Sequence, residues 1–232
     1  LRRPTTSTLF PYTTLFRSPA SGGRLLLITN PNAPTGILEP LAAIEACVRD
    51  FPGVVVVDEA YIDFADNPEA VTALPLVGKY DNLLVARTFS KSFALCGIRA
   101  GYGFGHEDLV AALVLAKDSY NLDMLAQAAA AAAMRDCGWM EANAARVRAT
   151  RERAALRFTE LGFTVLPSQA NFLFVTRPGS DAATLCRALG ERHIHVRHFP
   201  MRRLEQFLRV SIGTDAEMER LFTVLAALLE RS

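Results

Sequence analysis

Long apolar runs are missing from this sequence: none of its stretches approaches the roughly 18 residues needed to cross a bilayer, which speaks against an integral membrane protein. An excess of one charge is missing too. The 25 Lys and Arg against 24 Asp and Glu leave a formal net charge of +1, so nothing in the balance draws the chain to nucleic acid or to an anionic membrane surface. Cysteine is sparse. Cys47, Cys96, Cys137 and Cys186 lie far apart without a C-x-x-C spacing, which argues against a zinc knuckle or disulfide framework and predicts reduced, buried thiols in a cytoplasmic protein. His193, His195 and His198 cluster, and on a strand the first two share a face, but no acidic or cysteine partner stands beside them, so no metal site is expected. Trp139 and the methionines read as packing elements. What remains is 232 residues that are 50% hydrophobic, enough for one core plus a smaller domain.

The first residues, LRRPTTSTLFPYTTLFRSP, contain the triplet Thr-Leu-Phe twice. Pro4, Pro11 and the threonines interrupt any apolar centre of a signal peptide. Residues 1–18 are read as a non-native, adapter-like segment, the alternative being an irregular N-terminal arm.

From Arg24 the pattern changes. The short run RLLLIT ends in the turn-rich Asn30-Pro31-Asn32-Ala33-Pro34-Thr35-Gly36, which reads as a buried strand entering a tight loop. Apolar residues at helical spacing predict a helix from about Glu39 to Asp50, ended by Pro52-Gly53. Then comes Val54 to Asp58, a continuous β-branched run suited to a strand covered on both faces of a parallel sheet. Further strands are expected over 82–86 and 100–104. Alternating strands and helices imply an α/β layer architecture, which gathers polar chemistry at the strand ends. Helices are expected over 107–117, 123–136 and 139–161. The last part alternates again: strands over 163–166, 171–176, 194–198 and 207–212, a helix over 181–192, and a closing helix over 215–230 capped by Thr214 or Asp215. The expected organisation is part of a large, mainly parallel α/β domain over 19–137 and a small α+β domain with its connecting helix over 138–232.

Three segments carry chemistry. Thr88-Phe89-Ser90-Lys91 follows a buried strand, with Arg99 eight residues beyond the lysine. A lone lysine is ordinarily a solvated surface residue. Here Phe89 and Phe93 flank it, and an amine held among apolar groups is nucleophilic toward a carbonyl. The hydroxyls and Arg99 together suit a phosphate. Asp58-Glu59-Ala60-Tyr61 follows the Val54–Val57 run; such acidic residues are commonly helix caps, but an aspartate at a buried strand end can also pair with a protonated ring nitrogen. The Asn30–Gly36 segment, taken alone, is a rigid proline turn.

In order, N-P-N-A-P-T-G, D-E-A-Y-I-D-F and R-T-F-S-K-S-F-A-L-C-G-I-R-A-G-Y resemble the fold-type I pyridoxal-phosphate-dependent aminotransferases, and most closely those of the histidinol-phosphate type. The likeness runs on through Ala170-Asn171-Phe172 and Phe207–Thr214, and so covers the chain from Arg24. It implies pyridoxal 5'-phosphate as cofactor, Lys91 as the amine that carries it and moves the proton at the substrate's α-carbon, Asp58 at the pyridine nitrogen, and Tyr61 at the phenolic oxygen. It places Ser90 and Arg99, with Thr88 beside them, at the cofactor phosphate. Arg209 is implied for the substrate carboxylate or phosphate, with Arg197 as helper and Asn171 on the substrate side. Where the family pattern has asparagine before Pro-Thr-Gly this chain has Ala33, so the role passes to Asn32. The resemblance further implies histidinol phosphate and glutamate or 2-oxoglutarate as substrates and a homodimer at full length. Aromatic-amino-acid aminotransferases and threonine-phosphate decarboxylase-like enzymes share the scaffold and stand as alternatives. So does an inactive fragment, since members of the family carry roughly another hundred residues before the position of Arg24.

Overall fold

The computed structural model describes residues 22–230. The expected adapter-like segment, residues 1–18, lies outside them.

The first sheet is built from β1 (Leu25–Thr29), β2 (Val54–Asp58), β3 (Leu83–Thr88) and β4 (Gly101–Gly105), in that spatial order. The first three run parallel and β4 returns antiparallel to β3. Helix α1 (Leu41–Asp50) forms the β1-to-β2 crossover and buries Ile44, Cys47 and Val48 against Leu26, Ile28, Val55, Val57, Leu83 and Val85. The single amide of Asn82 ties this layer together, donating to the carbonyls of Val48, Phe51 and Gly53. The opposite face of β1 is bare among the described residues: Leu25 is 63% and Leu27 61% exposed.

A short helix, α2 (Pro68–Val71), and 3-10 turns at Ile62–Phe64, Leu74–Leu76 and Cys96–Ile98 fill the loops. Three helices follow β4: α3 (Glu107–Ala116), α4 (Met124–Arg135) and the 24-residue α5 (Cys137–Glu160). The second sheet has β5 (Thr164–Val165), β6 (Phe172–Thr176), β7 (Arg197–His198) and β8 (Leu208–Ser211) in the order β5-β6-β8-β7, all antiparallel. Helices α6 (Ala182–Gly190) and α7 (Asp215–Leu229) pack on it together with the end of α5. Phe158 meets Phe163 and Phe222 edge to face, with ring centres 5.3 and 5.0 Å away. A fully buried phenyl is worth roughly 2–3 kcal/mol, so this triplet is a principal fastening of α5 onto α7. Thr214 caps α7 through a reciprocal box with Glu217, so the cap is Thr214 rather than Asp215.

Several expectations are corrected. The strands foreseen over 163–166 and 194–198 shrink to two paired residues each. At the second, only Arg197 and His198 find partners on β8, and the residues just before them, which follow the left-handed His193 (φ 58°), pair with no strand. Of the thiols only Cys47 is buried; Cys96 is exposed on the loop after Lys91. Trp139, Met124, Met134 and Met201 are exposed, whereas Met218 lies in the core, because the first four sit on outward-facing turns that no described segment covers. No cluster of potential metal ligands occurs among the described residues. Nor is any described helix long and apolar enough to cross a membrane.

Candidate active site

Parallel pairing in register brings the carboxyl ends of β1, β2 and β3 side by side: Thr29 is opposite Asp58, and Asp58 opposite Ala86. The loops that leave these ends hold every candidate cofactor residue. After β1, Asn30 is buried and grips the backbone of Glu39, donating to its carbonyl and accepting from its N–H. Asn32 braces the same loop, donating to the Thr29 hydroxyl (2.9 Å) and accepting from the Thr35 hydroxyl (2.9 Å). These bonds use its carbonyl oxygen and one amide hydrogen, leaving the second hydrogen without a partner among the described residues. Gly36 has φ 78° and stands hard against Ser168, where a side chain has no room.

After β2, the half-buried Asp58 accepts from the N–H of Ala60 at 2.9 Å, which shapes the turn leading to Tyr61. After β3, the Thr88 hydroxyl meets the Ser90 hydroxyl at 3.0 Å and accepts from the Ser90 N–H at 3.1 Å. Arg99, with φ 52°, bends back so that its guanidinium donates to the Cys96 carbonyl (2.9 Å) and reaches Ser90 Oγ at 3.4 Å. Two hydroxyls and a guanidinium therefore converge one residue before Lys91. The half-buried Lys91 places its Nζ 5.3 Å from the centre of the Tyr61 ring. Phe89 and Phe93 pack against each other beneath the loop, and Phe89 against Tyr102. Burial, aided by the charge of Asp63, raises the Tyr102 phenol above its ordinary value.

Sequence reasoning missed the scaffold behind these groups. Ser92 is buried, its hydroxyl donates to Asp63, and its carbonyl accepts from Asn143 of α5. Glu59, beside Asp58, is no helix cap: it is buried and takes two bonds from Arg87 (2.8 and 3.0 Å), two contacts from Thr72 and one from the Ala73 N–H. Arg151 is 4% exposed and joins three segments, donating to the carbonyls of Phe64 and Ala170 and pairing with Asp66 at 2.7 Å. Desolvation lowers the Arg151 guanidinium below its ordinary value, against the opposing pull of Asp66. Asp63 had a signal, since it lies in the D-E-A-Y-I-D-F segment; the arginines of α5 had none.

The residues expected on the substrate side fall in two places, Asn171 in a cavity shared with Lys91, and the two arginines outside its lining. Asn171 lines a cavity of about 640 Å³ together with Lys91, Asn143, Arg146 and Thr214. Arg209 on β8 and Arg197 on β7 are directly opposed cross-strand partners. A continuous row joins them to Lys91. Tyr61 packs edge to face on Phe172 at 5.2 Å, Arg209 lies over Phe172 at 5.1 Å and over Phe199 at 5.7 Å, and Arg197 lies over Phe199 at 5.6 Å.

The description "Aminotransferase class I and II" belongs to the family model that this chain matches over residues 12–225. Over 221 residues the chain is 49% identical to a histidinol-phosphate aminotransferase of Gluconacetobacter diazotrophicus, covering 94% of this chain and 60% of the relative. It is 50% identical over 204 residues to histidinol-phosphate aminotransferase 2 of Dechloromonas aromatica, covering 86% of this chain and 56% of that one. The crystal structure of histidinol-phosphate aminotransferase from Sinorhizobium meliloti in complex with pyridoxal-5'-phosphate is similar with a TM-score of 0.84 at 27% identity, covering 94% of this chain and 60% of that chain. The chain thus spans about three fifths of the length of the relatives it matches.

Proposed function

Because the chain belongs to the class I and II aminotransferase family, we propose that it serves the transfer of an amino group between histidinol phosphate and 2-oxoglutarate, with pyridoxal 5'-phosphate as cofactor. The observation that carries this reading is the placement of the Lys91 amine over Tyr61, beside the convergent donors Thr88, Ser90 and Arg99. Those donors fit the cofactor: hydroxyls and a guanidinium form charge-assisted bonds to a phosphate, and an amine within reach of an aromatic wall suits an aldehyde beside a flat ring.

When bound, the cofactor supplies an electron sink for negative charge at the substrate's α-carbon. Lys91 would hold the cofactor through Nζ and serve as the base for the proton at that carbon. Asp58 would pair with the pyridine nitrogen and keep its proton in place. Tyr61 would donate to the phenolic oxygen, with the remaining amide hydrogen of Asn32 available to the same atom. Ser90 and Arg99 would anchor the phosphate. Arg209, with Arg197 and Asn171, orients the substrate by its anionic groups, because a planar guanidinium matches carboxylate and phosphate two bonds at a time. The working protein is read as a cytoplasmic homodimer.

The test is chemical. Borohydride treatment of the full chain with pyridoxal phosphate, followed by peptide mapping, is expected to label Lys91; a label on another lysine refutes the assignment. A substrate panel should favour imidazole-acetol phosphate, and a preference for phenylpyruvate would point instead to an aromatic-amino-acid aminotransferase.

A further inference from the structure

Arg209 packs on two phenyl rings, with its Cζ 5.1 Å from the centre of Phe172 and 5.7 Å from that of Phe199. Its cross-strand partner Arg197 shares the Phe199 ring at 5.6 Å. No hydrogen bond or ion pair joins either guanidinium to a protein acceptor among the described residues. Two cations placed directly opposite on neighbouring antiparallel strands repel each other, and of the other arginines held within the fold Arg87 is matched to Glu59 and Arg151 to Asp66, while Arg148, Arg177 and Arg192 donate to carbonyl or hydroxyl oxygens. The half-buried Arg209 has aromatic rings as neighbours instead of a carboxylate, and Arg197 beside it is exposed to solvent.

The distinction matters chemically. A carboxylate occupies the N–H edge of a guanidinium, whereas a ring occupies its face. The Arg209 guanidinium packs on two rings, and its five N–H donors have no protein acceptor among the described residues, so they are left to a ligand. Phe199 is itself held edge to face by Phe174 at 6.1 Å, and Phe174 is stacked on Phe207 at 4.5 Å, so the ring is part of the sheet's packing.

We propose that Phe199, with Phe172, is a positioning residue: the two rings clamp the Arg209 guanidinium beside Arg197 while its N–H groups stay without a protein acceptor, and so hold it ready for a carboxylate or phosphate oxyanion of the substrate. This rests on the reading of Arg209 as a substrate-binding residue and adds the device that orients it.

Glutarate, a dicarboxylate that lacks a keto group and cannot react, is the probe, titrated calorimetrically into the full chain with pyridoxal phosphate. Phe199→Leu keeps apolar bulk and loses the π face. Pentafluorophenylalanine at position 199 keeps the ring's shape and reverses its charge distribution, which guards against a folding defect in the leucine variant. Both are expected to weaken glutarate binding about three- to tenfold and to raise KM for glutamate while kcat stays within about twofold; Phe199→Tyr should restore wild-type values. Arg209→Gln separates the two layers of the argument. If it abolishes glutarate binding while the fluorinated variant binds as wild type, the clamp is overturned and the Arg209 assignment stands. Should Arg209→Gln leave binding unchanged, or the wild-type chain take up no glutarate, the substrate-side reading falls and the clamp with it.

Discussion

Ser92 donates its hydroxyl to the carboxylate of Asp63, 29 residues away in sequence, so the position next to Lys91 is fastened to the turn that follows Tyr61. Asn143 closes on the Ser92 carbonyl at 3.2 Å from the other side. The loop that carries Lys91 is therefore gripped by two elements from outside its own strand. Ser92→Ala leaves the Asp63 carboxylate short of a donor and is expected to cost about 1–2 kcal/mol of unfolding free energy in urea. It should also lower kcat more than it raises KM. A wild-type kcat in this variant would show that the grip has no part in placing Lys91.

Breaking the Glu59–Arg87 pair should be expensive. Glu59 has a side-chain exposure of 1% and Arg87 of 17%, and removing one partner strands the other. Glu59→Gln is expected to destabilise by about 3 kcal/mol. The double change Glu59→Met with Arg87→Leu should cost less than the sum of the two single changes, and additive losses in urea unfolding would contradict the coupling.

Gly36 combines a left-handed backbone with a neighbour that leaves no space: an added Cβ would collide with the side chain of Ser168. That serine matters, since its hydroxyl donates to the Phe172 carbonyl and accepts from the Ala170 N–H, setting the turn that delivers Asn171. Gly36→Ala is expected to destabilise by roughly 2 kcal/mol or more, from strain and displacement together. Thermal unfolding measures it, and an unchanged midpoint would contradict the packing.

Acid should loosen the second sheet and its helices. Asp215 is held below its ordinary value first by its bond from Arg153 and then by that from Thr150; Glu217 by the N–H and hydroxyl of Thr214; Asp181 by its contacts with Thr184. Each folded-state value lies below the unfolded one, so the stabilisation is complete above the unfolded carboxylate range of about 4 and is lost as pH falls through the lower folded values. The urea midpoint should hold steady above about pH 5 and drop below about pH 4. Asp181→Asn keeps an equally good helix cap, so it should match wild type at neutral pH and show a shallower acid limb. An identical acid limb would remove Asp181 from the account.

Legibility in the sequence followed local chemistry. The apolar runs of β1 to β3 were readable as strands from their aliphatic, β-branched composition, although their burial alternates among the described residues, and the cap of the last helix was narrowed to Thr214 or Asp215. The turn chemistry of Asn30–Gly36 and the Thr88–Lys91 hydroxyls were readable for the same reason. Glu59, Ser92 and Arg151 were not, because each finds its partner through tertiary packing that no spacing encodes. Phe199 carried no signal either: a lone aromatic just after a two-residue edge strand looks like any packing residue until Arg197 and Arg209 are placed beside it. The exposed Cys96 and Trp139 mark the opposite error, where residue type suggested burial and the surroundings did not supply it.

Along the length of α5 the turns do successive jobs: Asn143 reaches the Ser92 carbonyl, Arg148 the Asp63 carbonyl, Arg151 the Phe64 and Ala170 carbonyls, and Ala154 and Phe158 enter the second core. Fraying this rod from either end therefore releases both halves of the molecule at once. Its amides should exchange with deuterium at the rate of global opening, and heat should melt the two sheets as one cooperative unit rather than one after the other.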